Sequence, residues 1–242
     1  MRDRECARQT ADGDDAVVVR VRGLVVGYAG APVAAAATFD VARGEVVALV
    51  GPNGCGKSTV LRTVLGRLEP LAGEVELLGA PVDERLAHVR AAVAAVLDDD
   101  AWFPALTVRE HLYLTARGHG VLGADDVVAD VLDELGLAAV AHALPTSLSS
   151  GQRRRLLLAS ALVRPRELLV LDEPEQRLDR AARELVERRI RDEAADGGAV
   201  LLATHDAALV RAVATSVVQP ADDVVRVLSA DEGAALIARV GA

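Results

Sequence analysis

This sequence has one lysine, Lys57, among 242 residues, and its other strongly basic side chains are all arginines. It has two cysteines, Cys6 and Cys55, too few for a disulfide framework. No apolar run is long: VVALV at 46–50 and ELLVL at 167–171 stop far short of the roughly 18 to 20 residues that span a bilayer. Positive charge is scarce too. With 27 basic against 36 acidic residues the net charge is −9, which excludes broad attachment to nucleic-acid backbones or anionic lipid and confines any phosphate recognition to a local device. The start of the chain, MRDRECARQTADGDD, lacks the apolar stretch of a secretory signal, so residues 1–16 are read as a flexible lead-in and the protein as cytoplasmic. Apolar residues make up 51% of the chain, enough for a sizeable core.

What is present alternates. Residues 17–26 (VVVRVRGLVV), 46–50 and 74–78 (EVELL) have the composition of strands, and further apolar strands end at Leu97, Leu171 and Ala203. Helical patterns occupy about 57–67, 107–117, 125–135, 149–163 and 179–195. Strand then helix, repeated, predicts an α/β fold with a mostly parallel sheet covered on both faces. From 105 to 163 helices follow one another without a strand, which predicts a helical lobe beside the sheet. The Ala-rich APVAAAAT at 31–38 is weakly specified.

The lone lysine sits in GPNGCGKST, residues 51–59, between the apolar strand VVALV and a helix. Gly51, Gly54 and Gly56 let backbone N–H groups curl around phosphate oxygens, with Pro52, Asn53 and Cys55 at the variable positions, and the helix that follows points its positive end at the same anion. Lys57 supplies a compact ammonium for the β and γ phosphates, where a planar guanidinium is too broad. The Ser58 hydroxyl is placed for Mg²⁺ and Thr59 for the phosphates. A dinucleotide-binding glycine loop lacks the adjoining Lys-Ser pair.

Two further strand ends carry chemistry. LLVLDEP at 168–174 puts Asp172 and Glu173 at the carboxyl end of a buried strand, Asp172 for Mg²⁺ and Glu173 for polarising the attacking water. AVLLATHD at 199–206 puts His205 at the end of another, where it can donate to a γ-phosphate. Ser149 and Gln152 in LSSGQ, and Thr107 with Glu110, have the spacing of capping boxes.

LSSGQRRRLLLASALVRP at 148–165, shortly before LLVLDEP, resembles the LSGGQ signature of ATP-binding cassette proteins, and the similarity runs from about 17 to 229. The resemblance implies a P-loop NTPase core with an N-terminal antiparallel β subdomain and the inserted helical subdomain at about 105–163, leaving 230–242 as a tail. It implies ATP and Mg²⁺ as ligands and a head-to-tail pairing with a second ATP-binding subunit, identical or paralogous. In that pairing Ser149, Ser150, Gly151 and Gln152 act on the partner's nucleotide. Tyr28 matches the position that stacks on adenine, a telling match in a chain with five aromatics. Trp102 and Phe103 fall where such proteins receive a transmembrane permease; packing under the lobe explains them equally.

Three departures stand out. Asp98 occupies the place of a metal-sensing glutamine, with Asp99 and Asp100 as alternative equivalents. Gln176 and Arg177 stand in EQRLD where small residues are usual, and Cys55 stands where alanine or serine is common, most simply as a small filler. The expected function is an Mg²⁺-dependent ATPase subunit at the inner face of the cell membrane, driving a separate permease, in export. The alternative is a nucleotide-gated regulatory module with little turnover. The short interval between Thr59 and Leu148 leaves no room for the long coiled coils of chromosome-type cassettes.

Overall fold

The computed structural model describes residues 16–97, 101–220 and 225–240. In chain order, β1 (Val17–Val25), β2 (Gly27–Tyr28), β3 (Ala31–Pro32), β4 (Ala37–Ala42) and β5 (Val46–Val50) precede α1 (Lys57–Val64). Then come β6 (Ala72–Leu77), β7 (Ala80–Pro81), α2 (Ala87–Ala92), β8 (Val93–Val96) and three helices, α3 (Val108–Gly118), α4 (Ala124–Glu134) and α5 (Ser150–Leu162). The described chain closes with β9 (Leu168–Asp172), α6 (Arg180–Ala195), β10 (Ala199–Thr204), α7 (Ala207–Val213), β11 (Ser216–Gln219), β12 (Arg226–Leu228) and α8 (Ala230–Val240).

VVALV, LLVLD and AVLLAT have no solvent face to offer, so they are stable only with both sides covered. They form β5, β9 and β10, buried at every residue, within a six-stranded sheet of order β12-β11-β5-β10-β9-β8. Its neighbours run parallel except β11 and β12. Successive residues of one strand serve different layers, as the period of two requires. Val46, Ala48 and Val50 of β5, with Val200 and Leu202 of β10, face a core shared with helices α3 to α8. Val47 and Leu49, with Leu201 and Ala203, face a second core shared with α1 and the other sheet.

That other sheet is antiparallel, of order β4-β1-β6-β7. Arg20 of β1 pairs with Glu76 of β6 at 3.1 Å and Arg22 with Asp40 of β4 at 2.5 Å, so opposite charges on facing strands reinforce the register. β4 emerges from the Ala-rich stretch. Its ATFDVA buries Ala37, Phe39 and Val41 and exposes Thr38, a short period-two pattern that the preceding alanines hide.

Both expected capping boxes are present: Thr107 with Glu110 opens α3, and Ser149 with Gln152 opens α5. Residues 230–242, set apart as a tail by the resemblance, are helical over Ala230–Val240. α8 packs on α7 and β11 and fully buries Ala234. Its start is fixed by Ser229, whose N–H and hydroxyl donate to the Glu232 carboxylate at 2.9 and 2.8 Å. The lead-in at 1–16 lies outside the described residues except for Ala16. Among the described residues no helix is long and apolar enough to cross a membrane.

Candidate nucleotide site

Between Val50 and Lys57 the chain must turn from a buried strand into a helix whose first N–H groups lack partners. Gly56 makes that turn as the N-cap of α1 in the left-handed region, φ 91, where a Cβ costs about 1–2 kcal/mol. Lys57 is 5% exposed, and its Nζ donates to the carbonyls of Gly51 at 2.9 Å and Pro52 at 3.1 Å. The ammonium therefore lies inside the loop's curve. Ser58 and Cys55 are half-buried, Thr59 is buried, and the Cys55 thiol is free. Tyr28, on the β2–β3 hairpin, is 48% exposed, and hydrogen bonds with the side chains of Thr59 and then Arg62 pull its hydroxyl below the usual phenol range. The ring thus stands beside α1, which carries Thr59 and Arg62.

The acid pair follows from β9. Asp172 is its last residue and is buried; Glu173 takes the left-handed conformation, φ 46, and its N–H donates to the Ala203 carbonyl at 2.8 Å. Both Glu173 oxygens are engaged. Oε1 lies 3.2 Å from His205 Nδ1, and Oε2 accepts from Gln176 Nε2. His205 follows β10 and is half exposed at its side chain.

Two residues that the sequence did not single out support this turn. Arg154 of α5 is buried, and its Nη2 donates to the carbonyls of Asp172 and, at 2.7 Å, Glu173. Within the run Arg153–Arg155 it reads as a solvated face; only its helical spacing to the buried Leu157, Leu158 and Ala161 marks it as inward. Glu175 is 5% exposed and accepts at Oε1 from the Thr204 hydroxyl at 2.5 Å, while its Oε2 has no hydrogen-bond partner. Burial pushes this carboxyl above the usual range, against the Thr204 hydrogen bond and that of its own amide.

Gly51, Pro52, Asn53 and His205 line one cleft of about 310 Å³ together with Gln219, Leu236 and Ile237. Ser149, Ser150, Gly151 and Gln152 do not line it; they form the start of α5 on the helical lobe. Gly151 packs so closely that a Cβ would meet the Arg177 carbonyl at 2.9 Å, and Arg155 binds Asp179 at 2.5 Å. Thus α5 clamps the EQRLD segment, where Arg177 is left-handed, φ 60, and Asp179 caps α6 through the Ala182 N–H. Asp98 lies outside the described residues, as do Asp99 and Asp100. The Ser58 hydroxyl and Asp172 carboxylate are hard oxygen donors suited to Mg²⁺. Among the described residues there is no group of three or more His, Cys, Asp and Glu that could hold a metal ion. The aromatic pair divides: Trp102 packs on the lobe core, whereas Phe103 is 53% exposed, its ring 5.6 Å from that of His111 in a groove of about 250 Å³.

The neighbouring strands β5, β10 and β9 thus bring the loop, His205 and the acid pair to the same ends of the parallel sheet, as in P-loop nucleotide-binding proteins. The ABC transporter family model matches residues 35–176, and the chain belongs to that family. It is 43% identical over 170 residues to the Nod factor export ATP-binding protein I of Burkholderia pseudomallei (strain 1710b), covering 69% of this chain and 56% of the relative. With the protein of that name from Rhizobium meliloti (strain 1021) it shares 38% over 191 residues, covering 78% of this chain and 57% of the relative. The chain therefore spans little more than half the length of these relatives. A solved structure described as an ATP binding subunit of an ABC transporter superposes with a TM-score of 0.80 at 28% identity, covering 91% of this chain and 99% of that one.

Proposed function

We propose that this chain binds ATP with Mg²⁺, hydrolyses it, and powers a separate transmembrane permease in export, at the inner face of the cell membrane. The observation that carries this reading is the contact of Glu173 Oε1 with His205 Nδ1 at 3.2 Å, at the strand ends beside the loop that holds Lys57. Lys57 exchanges its two loop carbonyls for phosphate oxygens when nucleotide binds, and Tyr28 packs on the adenine. Ser58, Asp172 and, from the sequence, Asp98 hold Mg²⁺, which when bound neutralises phosphate charge. Glu173 accepts a proton from the water that attacks the γ-phosphorus, and His205 donates toward a γ-phosphate oxygen.

Ser149, Ser150, Gly151 and Gln152 close the nucleotide of a second ATP-binding subunit, since they lie off the cleft of their own chain. The names of the relatives support outward transport. The groove beside the exposed Phe103 supports a protein partner there. Phosphate release from Mg·ATP tests the reading. Glu173→Gln is expected to lower it by about 10²–10⁴-fold while ATP still binds; titration showing no ATP uptake by the wild type ends the proposal.

One observation favours the nucleotide-gated alternative. Glu173 Oε2 accepts from Gln176 Nε2 of its own chain, a donor that competes with an attacking water for the carboxylate. That reading holds if wild-type turnover is already negligible, Glu173→Gln leaves it unchanged, and ATP still drives dimerisation.

A further inference from the structure

Resting on the placement of Glu173 and His205 at the γ-phosphate end, we infer that Glu175 is a positioning residue that fixes His205 through the Thr204 hydroxyl. The turn at Glu173-Pro174-Glu175 and the end of β10 are pinned together twice. Glu173 N–H donates to the Ala203 carbonyl at 2.8 Å, and the Thr204 hydroxyl donates to Glu175 Oε1 at 2.5 Å. The same Thr204 oxygen accepts from the Asp206 N–H at 2.9 Å, so its single hydrogen is committed to Glu175. Asp206 in turn caps α7 by accepting at Oδ1 from the N–H groups of Ala208 at 2.8 Å and Leu209 at 3.2 Å. His205 is therefore held between two immobilised neighbours, and the acceptor that completes this frame comes from the loop that carries Glu173.

The carboxyl is an expensive way to fill space. Glu175 is 5% exposed and one of its oxygens has no hydrogen-bond partner, whereas an apolar side chain of similar volume would carry no such penalty. What Glu175 adds beyond volume is an acceptor reaching across to Thr204 at the end of β10, next to His205 in the chain. Movement of the Glu173 loop is then transmitted to His205, and the two groups at the reacting end keep their spacing.

The test uses the full-length chain and follows the imidazole NMR signals, with His205 assigned by its loss in His205→Ala. In Glu175→Ala and in Thr204→Val the His205 signal is expected to shift in the same sense; in Glu175→Gln, which keeps the acceptor, it is expected to stay in place. Phosphate release by the two disrupting variants should drop about tenfold in kcat with KM little changed, and Glu175→Gln should restore it. The double variant Glu175→Ala/Thr204→Val should be no worse than either single one, because both partners are removed together. An unmoved His205 signal in folded Thr204→Val overturns the inference, even if Glu175→Ala does not fold. Absence of phosphate release from the wild type would instead sink the hydrolysis reading, and the His205 shifts alone would then decide whether Glu175 positions the ring.

Discussion

Replacing Arg154 with methionine should loosen the turn that carries Glu173 without touching nucleotide. The guanidinium donates to two consecutive peptide oxygens, those of Asp172 and Glu173, and Glu173 sits at φ 46. That conformation costs a residue with a Cβ about 1–2 kcal/mol, so something outside the turn must hold it. Hydrogen bonds from a charged donor contribute about 1.5–3 kcal/mol each, and removing a buried cation returns part of that through relief of desolvation. The expected loss is about 2–4 kcal/mol, which for a chain of this size lowers the melting temperature by roughly 4–16 °C. Calorimetry and urea unfolding measure the loss, and phosphate release measures its chemical consequence. Turnover should fall further than ATP affinity, since Lys57 and its loop are untouched. A melting temperature within about 1 °C of wild type with unaltered turnover would refute this account of the turn.

Other substitutions probe separate parts of the site. Burial raises the folded-state carboxyl of Glu175 above 4.5, so the folded protein holds that proton more tightly than the unfolded chain. Its contribution is complete below pH 4.5 and is lost as pH rises through the folded value. Glu175→Gln should therefore unfold at higher urea than wild type near about pH 8 and lose that advantage near about pH 4. Lys57→Arg keeps the charge but overfills the curve now spanned by carbonyl contacts of 2.9 and 3.1 Å; calorimetric titration should show ATP binding weakened by about tenfold or more. Alkylating Cys55 in a Cys6→Ser background should block ATP binding, with ATP protecting the thiol, and labelling that leaves affinity intact would contradict its place in the loop.

The legible parts of this protein were those where a local pattern has only one solution. An all-apolar pentapeptide before GPNGCGKS can only be a covered strand, and Ser149 with Gln152 can only help a helix start, so β5, α1 and the opening of α5 were visible as text. β4 and α8 were harder because alanine fits either structure, and what decides them is packing of Phe39, Val41 and Ala234 against partners distant in sequence. Arg154 and Glu175 were hidden for a different reason. Their types read as solvated charge, and only the fold turns one toward the Asp172 and Glu173 carbonyls and the other toward Thr204. The exposure of Phe103 and the partial burial of Trp102 likewise depend on packing against the lobe core, which adjacent letters do not record.

Because neighbouring residues of β5 and β10 look into opposite layers, the central sheet is a party wall with rooms on either side. Valine-sized changes at Ala48 and at Leu49 should therefore be felt on different sides of the building, one among the helices that present Ser149 and the other beneath the Tyr28 hairpin. A helical lobe excised at 105 and 163 would take its plaster from the wall, uncovering Ala94 and Val96 of β8, on which α5 packs. The loop that holds Lys57 and the helices that carry Ser149 are accordingly built on the same strands.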